Sequence, residues 1–485
     1  MKHPLWEPVI GLEIHIQLNT ASKIFSSAPN RFGDEPNINI SAVCTGQPGA
    51  LPVLNREAVK KAALFGLAIN AKVSKCSTFD RKSYFYPDSP RNFQITQYEN
   101  PIIIGGQVTA HADDETHTFF IEKAHLEDDT GMLKHFSSFA GVDYNRAGAP
   151  LIEVVSKPCI HSAKQASAYA KAIRAIALYL NISDGNMEEG SLRMDVNISV
   201  RPKGEPDLRP RIEIKNLNSF TFLEMAIDSE VDRQINLYTQ NPEVPFLELI
   251  PPGTYRWDQE TKKAILMRNK ESADDYRYFP EPDLTPVLIS QETLDLWQAS
   301  LPELPQARLR RYISDLGLTE YAATTLIQEK KLADYFENAL KTCPYPRILC
   351  NWITVEFAGR LKAQNKTLLD LEVSPQHMAA LVSCIEHGKI TGPMAKAIAD
   401  EMIASPQLHP ESIIANNPKY QPMQDTKELD LLIEQVLREN PQSVLDYKAG
   451  KDRVFASLVG AVMKLSQGKA PPQLVRDILL KKIKS

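Results

Sequence analysis

The sequence lacks the features that identify a membrane or secreted protein. No run approaches about 18 consecutive apolar residues, so no transmembrane helix is expected. The first residues, MKHPLWEPVIGLEIH, do not contain the apolar segment of a signal peptide. The six cysteines are scattered and form no CxxC pair, which argues against a zinc knuckle and for a reducing compartment. We therefore expect a cytoplasmic protein without a membrane partner.

The sequence also lacks a phosphate-binding loop and an overall excess of positive charge. No GxxxxGK[ST] motif is present, because GKIT at Gly388 has no glycine at the required upstream position. The net charge of −5 does not indicate a nucleic-acid-binding protein. The residues 448–485 nevertheless contain seven Lys, two Arg and two Asp, which gives this segment a net charge of +7. This segment is either a phosphate-binding patch or a solvated helical face.

The composition is typical of a globular protein, and its 485 residues suggest two to four domains. Residues 1–290 are β-rich with interspersed helices, and residues 291–405 have helical periodicity. Residues 406–427 are polar and rich in proline, which is typical of a linker. Residues 428–485 have the pattern of a small, basic helical tail domain. The predicted fold class is α+β, with a β-rich domain followed by an all-α domain and the tail.

Three segments alternate strictly between apolar and polar residues, which predicts strands with one buried and one polar face. They are 12–18 (LEIHIQL), 192–201 (LRMDVNISVR) and 211–215 (RIEIK). The segment RPKGEPDLRP between the last two favours an antiparallel pair with a long connection. If these two strands pair, Arg193, Asp195, Glu213 and Lys215 share a polar face.

The polar faces of these strands are candidates for a cation site. Glu13 and His15 lie two residues apart, so both side chains leave the strand on one side. Further carboxylates occur in HLEDDTG, which contains Glu127, Asp128 and Asp129, and at Glu153 beyond the turn NRAGAP. Neighbouring anionic groups repel one another unless they share cations. The alternative is a set of ordinary amphipathic strands with a solvated face.

Seven ordered motifs in the first 285 residues carry a resemblance to a known family. They are GLEIHIQL, FDRKSYFYPD, HLEDDTG, DYNRAGAPLIEVVS, MEEGSLRMDVNISVRP, EIKNLNSF and DDYRYFPEPDL, and the tail segment GKDRVFASLVGAVMKLSQGKAPPQLV resembles the same family. This set resembles the B subunits of the bacterial tRNA-dependent amidotransferases (the GatCAB complex). The resemblance covers nearly the whole chain.

The resemblance implies a metal and nucleotide site within a fold similar to glutamine synthetase. One Mg²⁺ would bind His15, Asp128 and Glu153, and a second, more transient cation would bind Glu13, Asp195 and Glu213. Mn²⁺ is a candidate at the second site, and histidine at the first also suits Mn²⁺. The family often has Glu at the position of Asp128, so ligation there would need a water molecule.

The resemblance also implies which residues contact ATP and which take part in catalysis. Lys82, Arg193, Lys215 and Asn216 would bind ATP, and the lysines and Arg193 suit phosphate contacts. The catalytic set would be Glu13 together with Lys82, Arg193 and Lys215. Glu188 and Glu189 are either substrate-side carboxylates or a solvated pair. The chain departs from the family pattern at Met132, Lys157 and Cys159, none of which is an implied ligand.

The implied reaction has two steps. The side-chain carboxylate of a misacylated Glu-tRNA(Gln) or Asp-tRNA(Asn) attacks the γ-phosphate of ATP, and ammonia then displaces phosphate. The sequence has no amidase Ser-Ser-Lys signature and no Cys/His nucleophile motif. An amidase-type A subunit and a small C subunit are therefore implied as partners in a heterotrimer.

Two other functions remain as hypotheses. A free-standing, glutamine-synthetase-like ammonia ligase would need no basic helical tail. A non-catalytic tRNA-binding scaffold would have no use for clustered carboxylates, which repel phosphate unless a cation is bound.

Overall fold

A computed structural model describes residues 3–269, 273–420, 426–448, 451, 453–466 and 469–484. The chain divides into two compact units, residues 1–307 and 308–485. Among the described residues, no helix is both long enough and apolar enough to span a membrane.

The described strands all lie in the first unit. In chain order they are β1 (Trp6–Gln17), β2 (Lys72–Val73), β3 (Cys76–Ser77), β4 (Asp80–Ser83), β5 (Phe93–Thr96), β6 (Ile103–Ile104), β7 (Gln107–Ala112), β8 (Glu115–Asp128), β9 (Met132–His135), β10 (Ala140–Asp143), β11 (Pro150–Ser156), β12 (Leu192–Pro202), β13 (Ile212–Leu217), β14 (Gly253–Asp258), β15 (Lys263–Asn269), β16 (Phe279–Pro280) and β17 (Val287–Leu288).

The helices of the first unit are fewer, and the largest pack against the main sheet. They are α1 (Arg56–Ala68), α2 (Ala163–Tyr179), α3 (Phe220–Gln240), α4 (Phe246–Leu249), α5 (Ala273–Tyr276) and α6 (Gln291–Ala299). Side chains of Asn55, Ser162 and Ser219 accept hydrogen bonds from backbone N–H groups in the first turns of α1, α2 and α3. These caps satisfy donors that have no partner within the helix.

One large sheet organises the first unit. Its strands follow the order β15-β14-β13-β12-β1-β11-β8-β6-β2, and β7 also pairs with β8. The strands β12, β1, β11 and β8 pair antiparallel with their neighbours, and β13 pairs antiparallel with β12. The three strands predicted from alternation, β1, β12 and β13, are therefore adjacent, and the predicted antiparallel pair is confirmed.

The two faces of this sheet differ in chemistry. Apolar side chains such as Leu12, Ile14, Val196 and Ile198 are fully buried on one face. Helices α2 and α3 pack together and against strands of this sheet, and their apolar residues belong to the same core. The polar residues of the same strands occupy the opposite face because side chains alternate along a strand.

Two segments without a strand prediction also form strands. The aromatic and basic segment 80–96 contains the antiparallel pair β4 and β5. The HLEDD segment forms the end of the long strand β8. Charged residues in both segments form ion pairs with neighbouring elements, so hydrophobic alternation alone did not predict these strands.

The second unit is helical throughout its described residues. The helices are α7 (Pro305–Ser314), in which the division between the units falls, α8 (Glu320–Ile327), α9 (Lys330–Leu340), α10 (Pro346–Asn351), α11 (Ala358–Lys362), α12 (Pro375–Glu386), α13 (Gly392–Ala404), α14 (Pro410–Asn416), α15 (Thr426–Glu439), α16 (Pro441–Lys448), α17 (Arg453–Leu465) and α18 (Pro472–Lys484). A π-helical turn, Trp352–Phe357, connects α10 to α11, and short 3-10 turns occur at Leu368–Asp370 and Pro418–Tyr420.

The apolar residues of the second unit form two separate clusters. One includes buried residues between Leu309 and Tyr420, and the other includes buried residues between Leu429 and Ile483. The predicted linker, residues 406–427, contains α14, and Ile413 is buried in the first of these clusters. The linker prediction missed this helix because a single buried turn leaves little periodicity. Residues 421–425 of that linker lie outside the described residues.

The helical region begins at the predicted position, but its first helix packs with the first unit. Helix α6 follows position 290, but its Leu294 is buried in the core of the first unit. Its N-cap is Ser290, whose hydroxyl accepts from the Thr293 N–H. Helical periodicity therefore begins before the division between the two compact units.

Candidate functional site

The polar face of the large sheet brings together charged side chains from four strands. The register places His15 opposite Glu153 on one side and opposite Arg193 on the other. Glu153 in turn lies opposite His125. Directly opposed residues project from the same face. The row His125, Glu153, His15 and Arg193 thus crosses β8, β11, β1 and β12.

The first candidate metal cluster consists of His125, Glu127 and Glu153. One potential ligand atom of each lies within 4.8 Å of the other two. His125 Nε2 lies 3.6 Å from Glu153 Oε2, and His15 Nε2 lies 3.3 Å from the same oxygen. Lys82 Nζ approaches Glu127 Oε2 to 3.4 Å. A mixed imidazole and carboxylate set of this kind suits a divalent cation.

The second candidate cluster consists of Glu13, Asp195 and Glu213, again with ligand atoms within 4.8 Å of one another. Lys215 Nζ lies 3.1 Å from both an Asp195 oxygen and a Glu213 oxygen. Burial, and then the negative charges of Glu153, Glu213 and Asp195, raise the pKa of Glu13. The predicted set of Glu13, Asp195 and Glu213 is therefore assembled in one place.

The carboxylate of Asp128 is not part of the first candidate cluster. The carboxylate of Asp128 accepts the Ile95 N–H at 2.7 Å and forms an ion pair with Arg91. It is thus engaged away from His15 and Glu153, and burial raises its pKa to about 6 although Arg91 opposes this shift. Consecutive strand residues point to opposite faces, so Glu127 lies with Glu153 in the cluster, whereas the resemblance implied Asp128 as a ligand.

The four residues predicted to contact ATP lie around these clusters with different partners. Lys82 lies beside Glu127, and its ammonium is also 5.3 Å from the ring centroid of Tyr276. Arg193 Nη2 donates to Asp129 Oδ2 at 2.8 Å. Lys215 bridges the second cluster. Their positive charges therefore line the carboxylate face in ion pairs that an anionic substrate would have to rearrange.

Asn216 contacts the second cluster through its backbone. Its backbone N–H donates to Asp195 Oδ1 at 2.9 Å, and its side chain is exposed. Its φ is +58°, and the pairing of β12 with β13 shifts register between Met194 and Val196. This bulge turns the Asn216 N–H towards the Asp195 carboxylate, so the residue orients a candidate ligand through its backbone.

The residues present fit divalent cations. His125 Nε2 lies 3.9 Å from Glu127 and 3.6 Å from Glu153, and burial lowers the pKa of this ring, which favours its neutral, metal-binding form. In the second cluster, three carboxylates are accompanied by the ammonium of Lys215. Both observations match sites that a cation would complete.

His125 and Glu127 were not among the ligands predicted from the sequence. A signal was present, because His125 and Glu127 alternate with the apolar Ala124 and Leu126, as Glu13 and His15 alternate with apolar residues in β1. The acidic residues Asp128 and Asp129 follow directly, so this short alternation did not predict a strand. The sequence also gave no indication of Gln94, whose amide donates to Glu127 Oε1 at 2.8 Å and orients that carboxylate.

The remaining residues noted in the sequence lie outside these clusters. Glu188 and Glu189 lie in a turn where both backbone N–H groups donate to Asn186 Oδ1. Met132 begins β9, Lys157 is exposed, and Cys159 Sγ accepts the Phe120 N–H at 3.3 Å. None of these residues contributes to either cluster.

Comparison with known proteins identifies the same family along the chain. Residues 8–295 match the GatB/GatE catalytic domain, and residues 334–483 match the GatB domain. The B subunit of the aspartyl/glutamyl-tRNA(Asn/Gln) amidotransferase of Protochlamydia amoebophila (strain UWE25) is 59% identical over 481 residues, covering 99% of this chain and 97% of that protein. The protein of the same name from Chlamydia muridarum (strain MoPn / Nigg) is 55% identical over 478 residues, covering 99% and 98%.

These matches confirm the resemblance inferred from the sequence motifs. The catalytic-domain match alone spans more than half of the chain, and the relatives align with nearly all of it. The chain therefore belongs to the family of aspartyl/glutamyl-tRNA(Asn/Gln) amidotransferase B subunits.

Proposed function

We propose that this chain is the amidotransferase component that activates the side-chain carboxylate of misacylated Glu-tRNA(Gln), Asp-tRNA(Asn) or both. The activation consumes ATP, and ammonia from a partner amidase subunit then forms the amide. Activation is required because a carboxylate resists attack by ammonia. The names of relatives that are 54–59% identical over nearly their full length support this function.

The observation that carries the proposal is the shared polar face of the sheet. Two carboxylate clusters, Arg193 and Lys215 lie on neighbouring strands of the large sheet, and Lys82 reaches Glu127 from β4 of a separate sheet. Phosphoryl transfer depends on positioning and on neutralising charge more than on covalent catalysis. A face on which anionic and cationic side chains interleave is suited to holding phosphates beside an acceptor carboxylate.

The chain's own residues would divide this task. His125, Glu127, Glu153 and His15 would hold one Mg²⁺, and Glu13, Asp195 and Glu213 would hold a second cation, Mg²⁺ or Mn²⁺. Bound cations supply charge neutralisation on the phosphates. Lys82 and Lys215 would bind phosphate oxygens as point charges, and Arg193 could do so with two donors. The backbone of Asn216 would keep Asp195 oriented towards its cation.

The first unit is the proposed catalytic domain, with a fold similar to glutamine synthetase. The tail from position 428 is the proposed tRNA-binding domain. A family member acting on aminoacyl-tRNA is expected in the cytoplasm. An amidase-type A subunit and a small C subunit would complete a heterotrimer and supply ammonia from glutamine.

The experiment that tests this function is reconstitution with candidate A and C subunits on Glu-tRNA(Gln) and Asp-tRNA(Asn). The wild-type complex should form amide from glutamine or ammonium, and this chain alone should form none from glutamine. His15→Ala and Glu153→Ala should abolish phosphorylation of the aminoacyl group, because losing one ligand exposes the remaining charges to one another. Glutamine hydrolysis by the A subunit should persist in both variants. Normal amide formation by both variants at physiological Mg²⁺ would contradict the assignment of the site.

A further inference from the structure

An exposed aromatic hairpin lies beside the site but contributes to neither cluster. Among the described strands, β9 and β10 pair only with each other, and residues 135–140 at their tip are all exposed. The rings of Phe136 and Phe139 stack with centroids 4.6 Å apart and an interplanar angle of 22°. They remain 54% and 63% exposed. We call residues 132–143 the Phe hairpin.

The tip of the Phe hairpin has a defined conformation. The Phe136 N–H donates to the Phe139 carbonyl at 2.8 Å, which closes a turn over Ser137 and Ser138. A Cβ atom at Gly141 would meet the Phe136 ring at 3.3 Å, so the glycine leaves room for the ring. Two aromatic rings are therefore presented to solvent in a preformed pair.

The base of the Phe hairpin is fixed to the site. The Arg146 guanidinium donates to the carbonyls of Thr130 and Gly131 at 3.0 and 2.7 Å. The same guanidinium lies 3.5 Å from Asp129, whose carboxylate also pairs with Arg193. On the other strand, Asn37 donates to the Val142 carbonyl at 3.0 Å. At the usual strand rise, the tip extends roughly 13 Å from this base.

The charge near the tip of the Phe hairpin favours an anionic partner. Lys134 and His135 lie beside the tip, whereas the one acidic residue of the hairpin, Asp143, lies at its base and accepts the Asn37 and Asn145 N–H groups. Protein–protein interfaces are also rich in aromatic side chains, but they are depleted of lysine. Aromatic rings beside cations are the arrangement that binds unpaired nucleobases and the adjoining phosphates.

We propose that the Phe hairpin binds the unpaired 3′ end of the tRNA, with Phe136 and Phe139 stacking on a nucleobase. This inference rests on the proposed function, which brings the aminoacylated 3′ terminus to the carboxylate face. The foot of the hairpin is connected through Arg146 to Asp129. A nucleobase bound at the tip would therefore fix the direction in which the RNA strand enters the site.

The test uses the assembled complex and the double variant Phe136→Ala/Phe139→Ala. With ammonium as nitrogen donor, KM for the aminoacyl-tRNA should rise roughly tenfold, while KM for ATP stays unchanged. Phe136→Tyr/Phe139→Tyr should restore the wild-type KM because tyrosine also stacks. Phe32→Ala is the matched control, since Phe32 is 62% exposed and lies outside the hairpin.

A second measurement assigns the contact to the 3′ end. Affinity is compared for intact tRNA and for tRNA trimmed of its unpaired 3′ nucleotides. The double variant should weaken only the intact tRNA, and an equal loss for both RNAs, or no loss, would overturn the inference. Loss of complex assembly in the double variant would mean that the hairpin contacts a protein subunit, which would also overturn it. Failure of the wild-type complex to amidate would instead refute the proposed function.

Discussion

Glu127 and Asp128 are neighbours in the chain, but their carboxylates have different environments. Glu127 is held by Lys82 and by the Gln94 amide beside the histidines. Asp128 is held by Arg91 and the Ile95 N–H. The one-residue difference decides which carboxylate lies with Glu153 in the first candidate cluster, because the side chains leave β8 on opposite sides.

This arrangement predicts different effects for two isosteric substitutions. Glu127→Gln should weaken Mg²⁺ or Mn²⁺ binding and lower ATP-dependent amidation by about 100-fold or more, because it removes a charged ligand. Asp128→Asn should leave cation binding nearly unchanged and lower the free energy of unfolding by about 1–3 kcal/mol, because it leaves Arg91 without its charge partner. Calorimetric metal titration and denaturant unfolding of both variants measure these effects. The reverse pattern would restore His15, Asp128 and Glu153 as the ligand set.

At the scale of the element, irregularities in the strands and contacts between helices fix charged groups. The bulge between β12 and β13 places Asn216 in the left-handed region of backbone conformation. Between α7 and α9, Arg308 and Arg311 both donate to Glu337 Oε1, at 2.9 and 2.5 Å. The first feature orients a candidate ligand, and the second ties two helices of the second unit together.

The bulge predicts that Asn216 tolerates glycine but not a β-branched residue. Asn216→Val should destabilise the protein by about 1–3 kcal/mol, because valine at positive φ is strained. It should also weaken cation binding at the second cluster by moving the N–H that Asp195 accepts. Asn216→Gly is the matched control and should retain both properties, since glycine adopts this φ freely. Equal cation affinity in all three proteins would show that the bulge does not orient Asp195.

The contact between α7 and α9 predicts a dependence of stability on pH. Although burial opposes it, hydrogen bonds from Arg308 and Arg311 lower the pKa of Glu337 to about 2. A depressed folded-state pKa stabilises the protein above the unfolded value of about 4.5, and this contribution is lost as pH falls from there towards 2. After allowance for partial exposure, we expect about 1 kcal/mol.

Hydrogen exchange of the α9 amides between about pH 5 and 3 measures this contribution. Protection in the wild type should fall more steeply with acidification than in Glu337→Gln, which has no carboxylate to protonate. Glu386→Gln, an exposed position at the end of α12, is the control and should follow the wild type. Identical slopes for the wild type and Glu337→Gln would exclude the contact as the source.

At the scale of the whole molecule, the two candidate metal clusters and the basic tail lie in different compact units. The tail residues between Leu429 and Ile483 have an apolar cluster of their own. Part of the tail's positive charge is already paired, since Lys451 contacts Asp446 and Lys482 contacts Glu434 and Asp430. The number of phosphate contacts should therefore be smaller than the segment's charge of +7 suggests.

Removal of the residues after 421 should leave the first unit folded and weaken tRNA binding. Each phosphate contact lowers log K by roughly 0.7 to 0.9 per decade of salt, so truncation should also flatten the salt dependence. ATP and metal binding should persist, because the two candidate clusters lie in the first unit. Titrating tRNA at several salt concentrations into intact and truncated complexes measures both quantities. Unchanged affinity and slope would mean that the basic residues are simply solvated.

The sequence by itself determined the strands whose faces alternate cleanly. Strict alternation predicted one apolar and one polar face for each of β1, β12 and β13, because alternation is a local signal. The ordered motifs also identified the family, which the comparisons confirm.

Only the tertiary structure decided which charged residues meet. Glu127 and Asp128 each carry one carboxylate, and the sequence does not distinguish their partners. The strand register places Glu127 beside Glu153 and Asp128 beside Arg91. The charged side chains of the segment 80–96 and of the end of β8 form ion pairs with residues distant in sequence, which local alternation cannot predict. Local periodicity records burial, whereas pairing between distant charges depends on the folded arrangement of the strands.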